Sequence, residues 1–222
     1  MILELKNISG GYLKGVDVIR NIDIQLPTGS ATGILGLNGA GKTTLCRAIM
    51  HMNPYRSGKL FFEGCDVSEL NTEQLSRLGI SLFLSAGNTF PELSVWENLL
   101  IAAGGSPAKE IDTIRSIFPV LSGNKNALKN KLADKLSGGE RGQLAIAMCL
   151  LTKPKILILD EPSAGLSPTA IKTMYKILEQ IRNERGVTIL LIEQAAELAR
   201  GFCEQVYIIE NGVINNDFNN KK

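Results

Sequence analysis

An α/β architecture built on a parallel-sheet core is the expectation for this 222-residue chain, and three observations carry it. Three short runs, Gly33 to Leu35, Ile156 to Leu159 and Val187 to Ile192, have little or no polar interruption, the pattern of strands covered on both faces by helices. Helical patterns at Leu45 to Met50, Leu144 to Leu151 and Ile171 to Ile181 alternate with them. A glycine-rich loop joins the first of those strands to the first of those helices.

Taken in chain order, the opening is strand-rich. Ile22, Ile24 and Leu26 alternate with Asp23 and Gln25, which predicts a half-exposed strand ending at Pro27-Thr28-Gly29. From about residue 85 to residue 153 the pattern changes: Asn98 to Ala103, Glu110 to Phe118 and the Leu144 segment read as helices, with no clear strand. This predicts a helical subdomain inserted into an α/β core of about residues 1–84 and 154–222, all within one domain. Val206 to Ile209 and Val213-Ile214, separated by Asn211-Gly212, predict a closing hairpin. The polar tail Asn215 to Lys222 is expected to fray.

Composition excludes several classes. With 44% hydrophobic and 21% charged residues the chain is neither disordered nor fibrous. Twenty-four Lys and Arg against 22 Asp and Glu leave +2, no nucleic-acid footprint from net charge, so no nucleic-acid partner is expected. The longest apolar stretch, Leu144 to Leu151, is far short of the ~18–20 residues that cross a bilayer. Met1 to Lys6 carries an acid where a signal peptide has a basic region, so none is expected there. Cys46, Cys65, Cys149 and Cys203 are scattered without a Cys-x-x-Cys pair, which predicts reduced thiols packed as small hydrophobes in a cytosolic protein. His51 is the single histidine, so a site of several imidazoles is impossible, and it reads as structural.

Three motifs carry chemistry. Gly36-Leu37-Asn38-Gly39-Ala40-Gly41-Lys42-Thr43 fits G-x-x-x-x-G-K-[ST], and Thr44 follows at the head of a helix. Glycines there let backbone N–H groups converge on phosphate oxygens, Lys42 reaches the β and γ phosphates, and Thr43 can ligate Mg²⁺. Lys155 to Glu161 is a buried strand ending in two acids at its C-terminal edge, where α/β sheets place ligand groups. Asp160 is placed to hold Mg²⁺ through its water shell and Glu161 to polarise a water in line with the γ-phosphorus. Alone, such a strand could equally leave the core into a solvated turn; beside a phosphate loop the functional reading is favoured.

The third motif, Leu136-Ser137-Gly138-Gly139-Glu140, opens the helix that carries Leu144, Met148 and Leu151. Ser137 and Glu140 form a capping-box pattern. Two adjacent glycines in a first turn cost roughly 1 kcal/mol each, which makes sense if bare backbone must approach something closely. An anionic phosphate is the natural guest.

With these motifs in this order and spacing, the chain resembles the ATP-binding cassette (ABC) ATPases over nearly its whole length, the Leu136–Glu140 signature being the most family-specific part. The resemblance implies a P-loop NTPase (RecA-like) fold: a parallel-sheet core, an N-terminal antiparallel β part and an inserted helical subdomain. It implies ATP and Mg²⁺ as cofactors, with Glu161 and Lys42 catalytic. It also implies a head-to-tail dimer, each ATP lying between the phosphate loop of one subunit and Ser137, Gly138, Gly139 and Glu140 of the other. Tyr12, after Gly10-Gly11, would stack on adenine. Glu161 to Pro168, Leu190 to Gln194 and Phe90 to Asn98 are similar to ATPase subunits of branched-chain amino acid importers and their urea or amide relatives. Such subunits pair with a second ATPase beneath two membrane subunits, on the cytoplasmic face, while an external binding protein delivers the solute.

Three positions depart from the general family pattern. Ser85 stands where most members carry a glutamine that senses Mg²⁺ and the attacking water, and Gln194 stands where most carry a switch histidine that contacts the γ-phosphate. The usual aspartate after the acidic strand is missing from Ser163 to Ser167. The leading expectation is therefore an ATP-hydrolysing importer subunit that is slow without its partner. An exporter ATPase for lipid or polysaccharide uses nearly the same cassette and is the first alternative. A weakly hydrolytic module that uses ATP as dimerisation glue is the second, favoured by Ser85 and Gln194 and opposed by Glu161. A small-molecule or nucleotide kinase fails to explain Leu136 to Glu140.

Overall fold

The computed structural model describes residues 1–84, 88–104 and 108–219. In chain order the strands are β1 (Leu3–Gly11), β2 (Ile19–Leu26), β3 (Ala31–Leu35), β4 (Tyr55–Phe62), β5 (Cys65–Asp66), β6 (Ile80–Phe83), β7 (Ile156–Asp160), β8 (Thr188–Glu193), β9 (Gln205–Glu210) and β10 (Val213–Asn219). The α-helices are α1 (Lys42–Ile49), α2 (Thr72–Leu78), α3 (Val95–Ala102), α4 (Ala108–Arg115), α5 (Lys125–Asn130), α6 (Gly138–Leu151), α7 (Pro168–Arg185) and α8 (Ala196–Phe202).

They form two sheets. A six-stranded sheet has the order β10-β9-β3-β8-β7-β6, parallel throughout except for β10, and an antiparallel sheet has the order β2-β1-β4-β5. The continuous apolar runs of β7 and β8 have a direct cause. Leu157, Leu159, Ile189 and Leu191 enter a core shared with α3, α6 and α7, while Ile156, Ile158, Leu190 and Ile192 enter a second core shared with β1, β2 and α1. Alternate side chains thus meet apolar surface on both faces, so both phases are apolar along the middle of each strand, and the buried polar residues Thr188, Asp160 and Glu193 stand at strand ends. In β2, by contrast, Ile22, Ile24 and Leu26 are buried and Asp23 and Gln25 exposed, the alternation of a sheet with one wet face.

Local chemistry sets the helix ends. Reciprocal capping boxes start α2 (Asn71, Gln74), α3 (Ser94, Glu97) and α6 (Ser137, Glu140). Ser167 caps α7, Pro168 follows in its first turn, and Gly186 closes it in a left-handed conformation. Ahead of α3, the buried Asn98 amide accepts from Phe90 N–H (2.7 Å) and donates to the carbonyls of Phe90 and Ser94 (3.0 and 2.9 Å), fastening the Phe90–Ser94 stretch to the helix.

Several expectations change. The helix expected over Asn98 to Ala103 is Val95–Ala102, and that over Glu110 to Phe118 is Ala108–Arg115. The hairpin forms, and the tail continues it: Asp217, Phe218 and Asn219 pair with Tyr207, Val206 and Gln205, so the chain is ordered as strand through Asn219 because β9 offers it a free edge. Cys46 and Cys203 are buried, but Cys65 is exposed in the short edge strand β5 and packs against no core. Ser85 lies outside the described residues.

Candidate functional site

The phosphate loop leaves the C-terminal end of β3 and feeds α1. Gly41 immediately precedes the helix at φ 106°, a conformation that side chains resist. Of the other two glycines, one serves close approach. A Cβ on Gly36 would lie 2.6 Å from the Ile209 carbonyl oxygen, whereas one on Gly39 would meet nothing within 4 Å, so the outer rim of the loop faces open space. The loop rests on sequence-distant supports: Gly212 N–H donates to Ala40 O (3.0 Å), Arg20 N–H to Gly212 O (2.7 Å), and the Arg20 guanidinium to Asn211 O (2.9 Å).

Lys42 is buried, and its Nζ donates to Gly36 O (2.8 Å) and Leu37 O (3.0 Å) while pairing with Glu161 Oε1 at 2.9 Å. Thr43 Oγ1 donates to Asp160 Oδ2 at 2.8 Å. Asp160 is 2% exposed, and its other oxygen, Oδ1, is buried without a partner. Burial pushes this carboxyl above the ordinary carboxylate range, with the Thr43 hydroxyl opposing the shift. A buried carboxylate with one hydroxyl partner and one idle oxygen suits a hard cation that takes oxygen ligands. Among the described residues no group of three or more His, Cys, Asp or Glu could hold a metal ion, so a cation here depends on oxygens from a ligand and from water.

Glu161 continues β7 by donating its N–H to Ile192 O (2.9 Å) on β8, yet it sits at φ 50°. A non-glycine residue held in the left-handed region at a strand end is a recurring mark of a functional position. The twist turns the carboxylate toward Lys42. Glu161 borders two open clefts: one of about 270 Å³ with Val18, Asn38, Gly39, Gly41, Lys42, Thr43 and Thr44, the other of about 260 Å³ with Gly138, Arg141, Pro162 and Leu166 among its lining. A further open cleft of about 630 Å³, between α4 and α7, carries none of these residues.

The signature caps its helix as expected, with Ser137 N–H donating to Glu140 Oε2 (2.8 Å) and Glu140 N–H to Ser137 Oγ (3.3 Å). Lys131 pairs with Glu140 at 3.0 Å. None of Ser137, Gly138, Gly139 or Glu140 lines the phosphate-loop cleft of its own chain. The glycine pair has two different causes. A Cβ on Gly139 would lie 2.9 Å from Ala170 Cβ in α7, so its bareness serves packing within the chain, whereas one on Gly138 would meet only Leu166 Cδ2 at 3.7 Å. Gly138 keeps the open approach that sequence reasoning assigned to both.

Tyr12 stands beside α1, its hydroxyl 3.2 Å from Thr44 Oγ1 and its ring 5.9 Å from the Arg47 guanidinium carbon, with 42% of the residue exposed. Gln194 is exposed just past the end of β8, and its N–H donates to Glu193 Oε2 (3.2 Å). The structure therefore gathers Lys42, Thr43, Asp160 and Glu161, sets Tyr12 at the flank, and keeps the signature out of the phosphate-loop cleft, with Gly138 sharing only the second cleft with Glu161. Sequence reasoning passed over Glu193, an acid 2% exposed at the last position of β8. An ionisable residue closing a run of five apolar or β-branched residues was the available signal.

Comparison with known proteins agrees with this geometry. The ABC transporter family matches residues 19–164. A high-affinity branched-chain amino acid transport ATP-binding protein, BraG of Pseudomonas aeruginosa, is 34% identical over 96% of this chain and 91% of its own length. A probable branched-chain amino acid transport ATP-binding protein, LivF of Archaeoglobus fulgidus, is 33% identical over 95% and 89%. The ADP conformation of an ATP-binding cassette of an ABC transporter superposes with a TM-score of 0.80 at 27% identity, covering 97% of this chain and 90% of the other.

Proposed function

This chain belongs to the ABC transporter family and is an ATPase, and we propose that it is the energy-coupling subunit of an importer for branched-chain amino acids or related small polar solutes. The observation that carries the reading is the convergence of Lys42, Thr43, Asp160 and Glu161 on one strand edge, with an idle buried oxygen on Asp160. Exporter ATPases share that chemistry, and the names of the relatives at 34% and 33% identity favour import.

In the proposed mechanism the amides of Gly36 to Thr44 and the Lys42 ammonium hold the triphosphate, and Tyr12 packs on the base. Thr43 and Asp160 would hold Mg²⁺, which would supply neutralisation of phosphate charge. Lys42 exchanges its Glu161 partner for phosphate, freeing Glu161 to accept a hydrogen bond from the attacking water. Ser137, Gly138, Gly139 and Glu140 of a second ATPase subunit close the site from outside. Gln194 reads the γ-phosphate from the β8 side.

The expected helical subdomain, about residues 85–153, is the part proposed to move against the core of about residues 1–84 and 154–222, passing closure to integral membrane subunits on the cytoplasmic face. An extracytoplasmic solute-binding protein would act only through those subunits. Among the described residues no helix is long and apolar enough to cross a membrane.

The test is calorimetric titration of the purified chain with Mg-ATP, followed by steady-state turnover with and without Glu161→Gln. Heat on binding, slow turnover that this change abolishes, and retained affinity in the variant are expected. Absence of binding heat overturns the reading; fast, partner-independent turnover overturns the claim that a partner is required. Co-purification of membrane subunits from detergent extract tests the transport role.

A further inference from the structure

Glu193 has no role in the chemistry described so far, yet its carboxylate is almost wholly buried at the end of β8. Donors from three residues converge on it. Ser163 N–H (3.3 Å) and the Tyr175 hydroxyl (3.3 Å) meet Oε1, and Gln194 N–H (3.2 Å) meets Oε2. None of the three is a cation, so the charge is satisfied by dipoles alone. Burial pushes the carboxyl above its ordinary range, opposed by the hydrogen bonds from Ser163, Gln194 and Tyr175. An acid kept under that penalty needs a reason, since an apolar residue would end this strand more stably.

The partners supply one. Ser163 lies in the loop that begins with Glu161, and that loop is otherwise tied by two turn hydrogen bonds, Ala164 N–H to Glu161 O (3.1 Å) and Leu166 N–H to Ser163 O (3.1 Å). The Glu161 N–H bond to Ile192 O fixes one end of the loop to β8, and Glu193 fixes the next anchor one residue further along the same strand. Tyr175 is itself held edge-on against Phe202 (centroids 5.4 Å apart, planes at 85°), so its hydroxyl reaches the carboxylate from a rigid base. One carboxylate therefore joins the acidic loop, the residue Gln194 and α7.

We propose that Glu193 is a positioning residue for hydrolysis: it locks the loop carrying Glu161 to the backbone at Gln194, so that the water-polarising carboxylate and the γ-phosphate-facing amide are held in one fixed relation. This rests on the ATPase reading above. It acts on neither nucleotide nor metal directly, and so its loss lowers turnover without lowering affinity. Hydrogen bonds to an ionised acceptor are the strong ones, and Glu193→Gln turns one acceptor oxygen into a donor facing a donor.

The test uses the whole chain. Affinity for a fluorescent ATP analogue and turnover per bound nucleotide under single-turnover conditions are measured for the wild type and for Glu193→Gln, Glu193→Ala and Tyr175→Phe. Expected are affinities within about twofold of wild type, turnover about tenfold lower for Glu193→Gln and lower still for Glu193→Ala, and about threefold lower for Tyr175→Phe. Normalising to bound nucleotide removes any fraction that fails to fold, and Tyr175→Phe, which leaves Glu193 intact, keeps the test decisive if the Glu193 variants are unstable. Turnover within twofold of wild type in Tyr175→Phe and in any Glu193 variant that folds, or affinity falling in parallel with turnover, overturns the proposal. A wild-type chain that binds no Mg-ATP overturns the ATPase reading instead.

Discussion

Replacing each glycine of the signature by alanine separates packing within the chain from contact with another molecule. Both occupy the first turn of α6, so the gain in helix propensity, up to ~1 kcal/mol, is common to the two variants and cancels in their comparison. What differs is the space. The new methyl at position 139 would lie 2.9 Å from Ala170 Cβ, well inside the ~3.5–4.0 Å at which carbons attract. Overpacking of this kind costs about 1–3 kcal/mol. At position 138 the nearest atom is Leu166 Cδ2 at 3.7 Å, an ordinary contact. Gly139→Ala is therefore less stable than Gly138→Ala by about 2 kcal/mol, a gap of about 4–8 °C in melting temperature for a chain of this size. Scanning fluorimetry on the two purified variants reads the gap. Gly138→Ala, although stable, is expected to lose ATP-dependent pairing by size-exclusion chromatography. Equal melting temperatures would refute the packing argument, and undiminished pairing of Gly138→Ala would refute the assignment of that residue to the intermolecular face.

Other outcomes follow from particular contacts. Thiol titration of the native chain should give one fast equivalent from exposed Cys65, because burial raises Cys46 and pushes Cys149 up to about 11 and Cys203 up to about 12; two or more fast equivalents would contradict this. Since the Glu193 pKa is raised on folding, the folded state binds more protons than the unfolded one above the ordinary value of ~4.3, so its contribution to stability declines as pH rises through the window up to the folded value. Denaturant melts should show Glu193→Gln gaining on wild type across that window, and a pH-independent difference would count against it. Gly212→Ala combines φ 79° with a Cβ only 1.9 Å from the Val18 carbonyl oxygen, whereas Gly15→Ala has the same φ and nothing within 4 Å. The first should cost about 3 kcal/mol or more and the second about 1 kcal/mol, and equal costs in denaturant titrations would show that the close approach is relieved without strain.

What could be read in advance tracks how local the determinants are. β3, β7 and β8 announced themselves because both faces are covered, and the phosphate loop did so because its spacing is dictated by backbone geometry toward phosphate. β4 gave no pattern: only Leu60 and Phe62 are buried in it, its first half Tyr55–Lys59 is solvated, and it follows β1 through a register shift. β6 is short and reads as a strand only once β7 lies beside it. The tail looked too polar to order because the edge of β9 with which its backbone pairs is set by the fold and leaves no pattern in the tail's own sequence. Gly139 looked like a ligand-facing glycine because Ala170, which explains it, lies in another helix. Glu193 went unnoticed for a related reason: its partners Ser163 and Tyr175 are 30 and 18 residues away.

The dependence of the phosphate loop on Gly212 and Ile209 bears on biosynthesis. The loop leaves the ribosome early, but the carbonyls and amides that brace it are translated more than 160 residues later, since Ala40 and Gly212 are 172 positions apart. Nascent chains halted before the closing hairpin would hold every residue of the nucleotide cradle and still lack its floor.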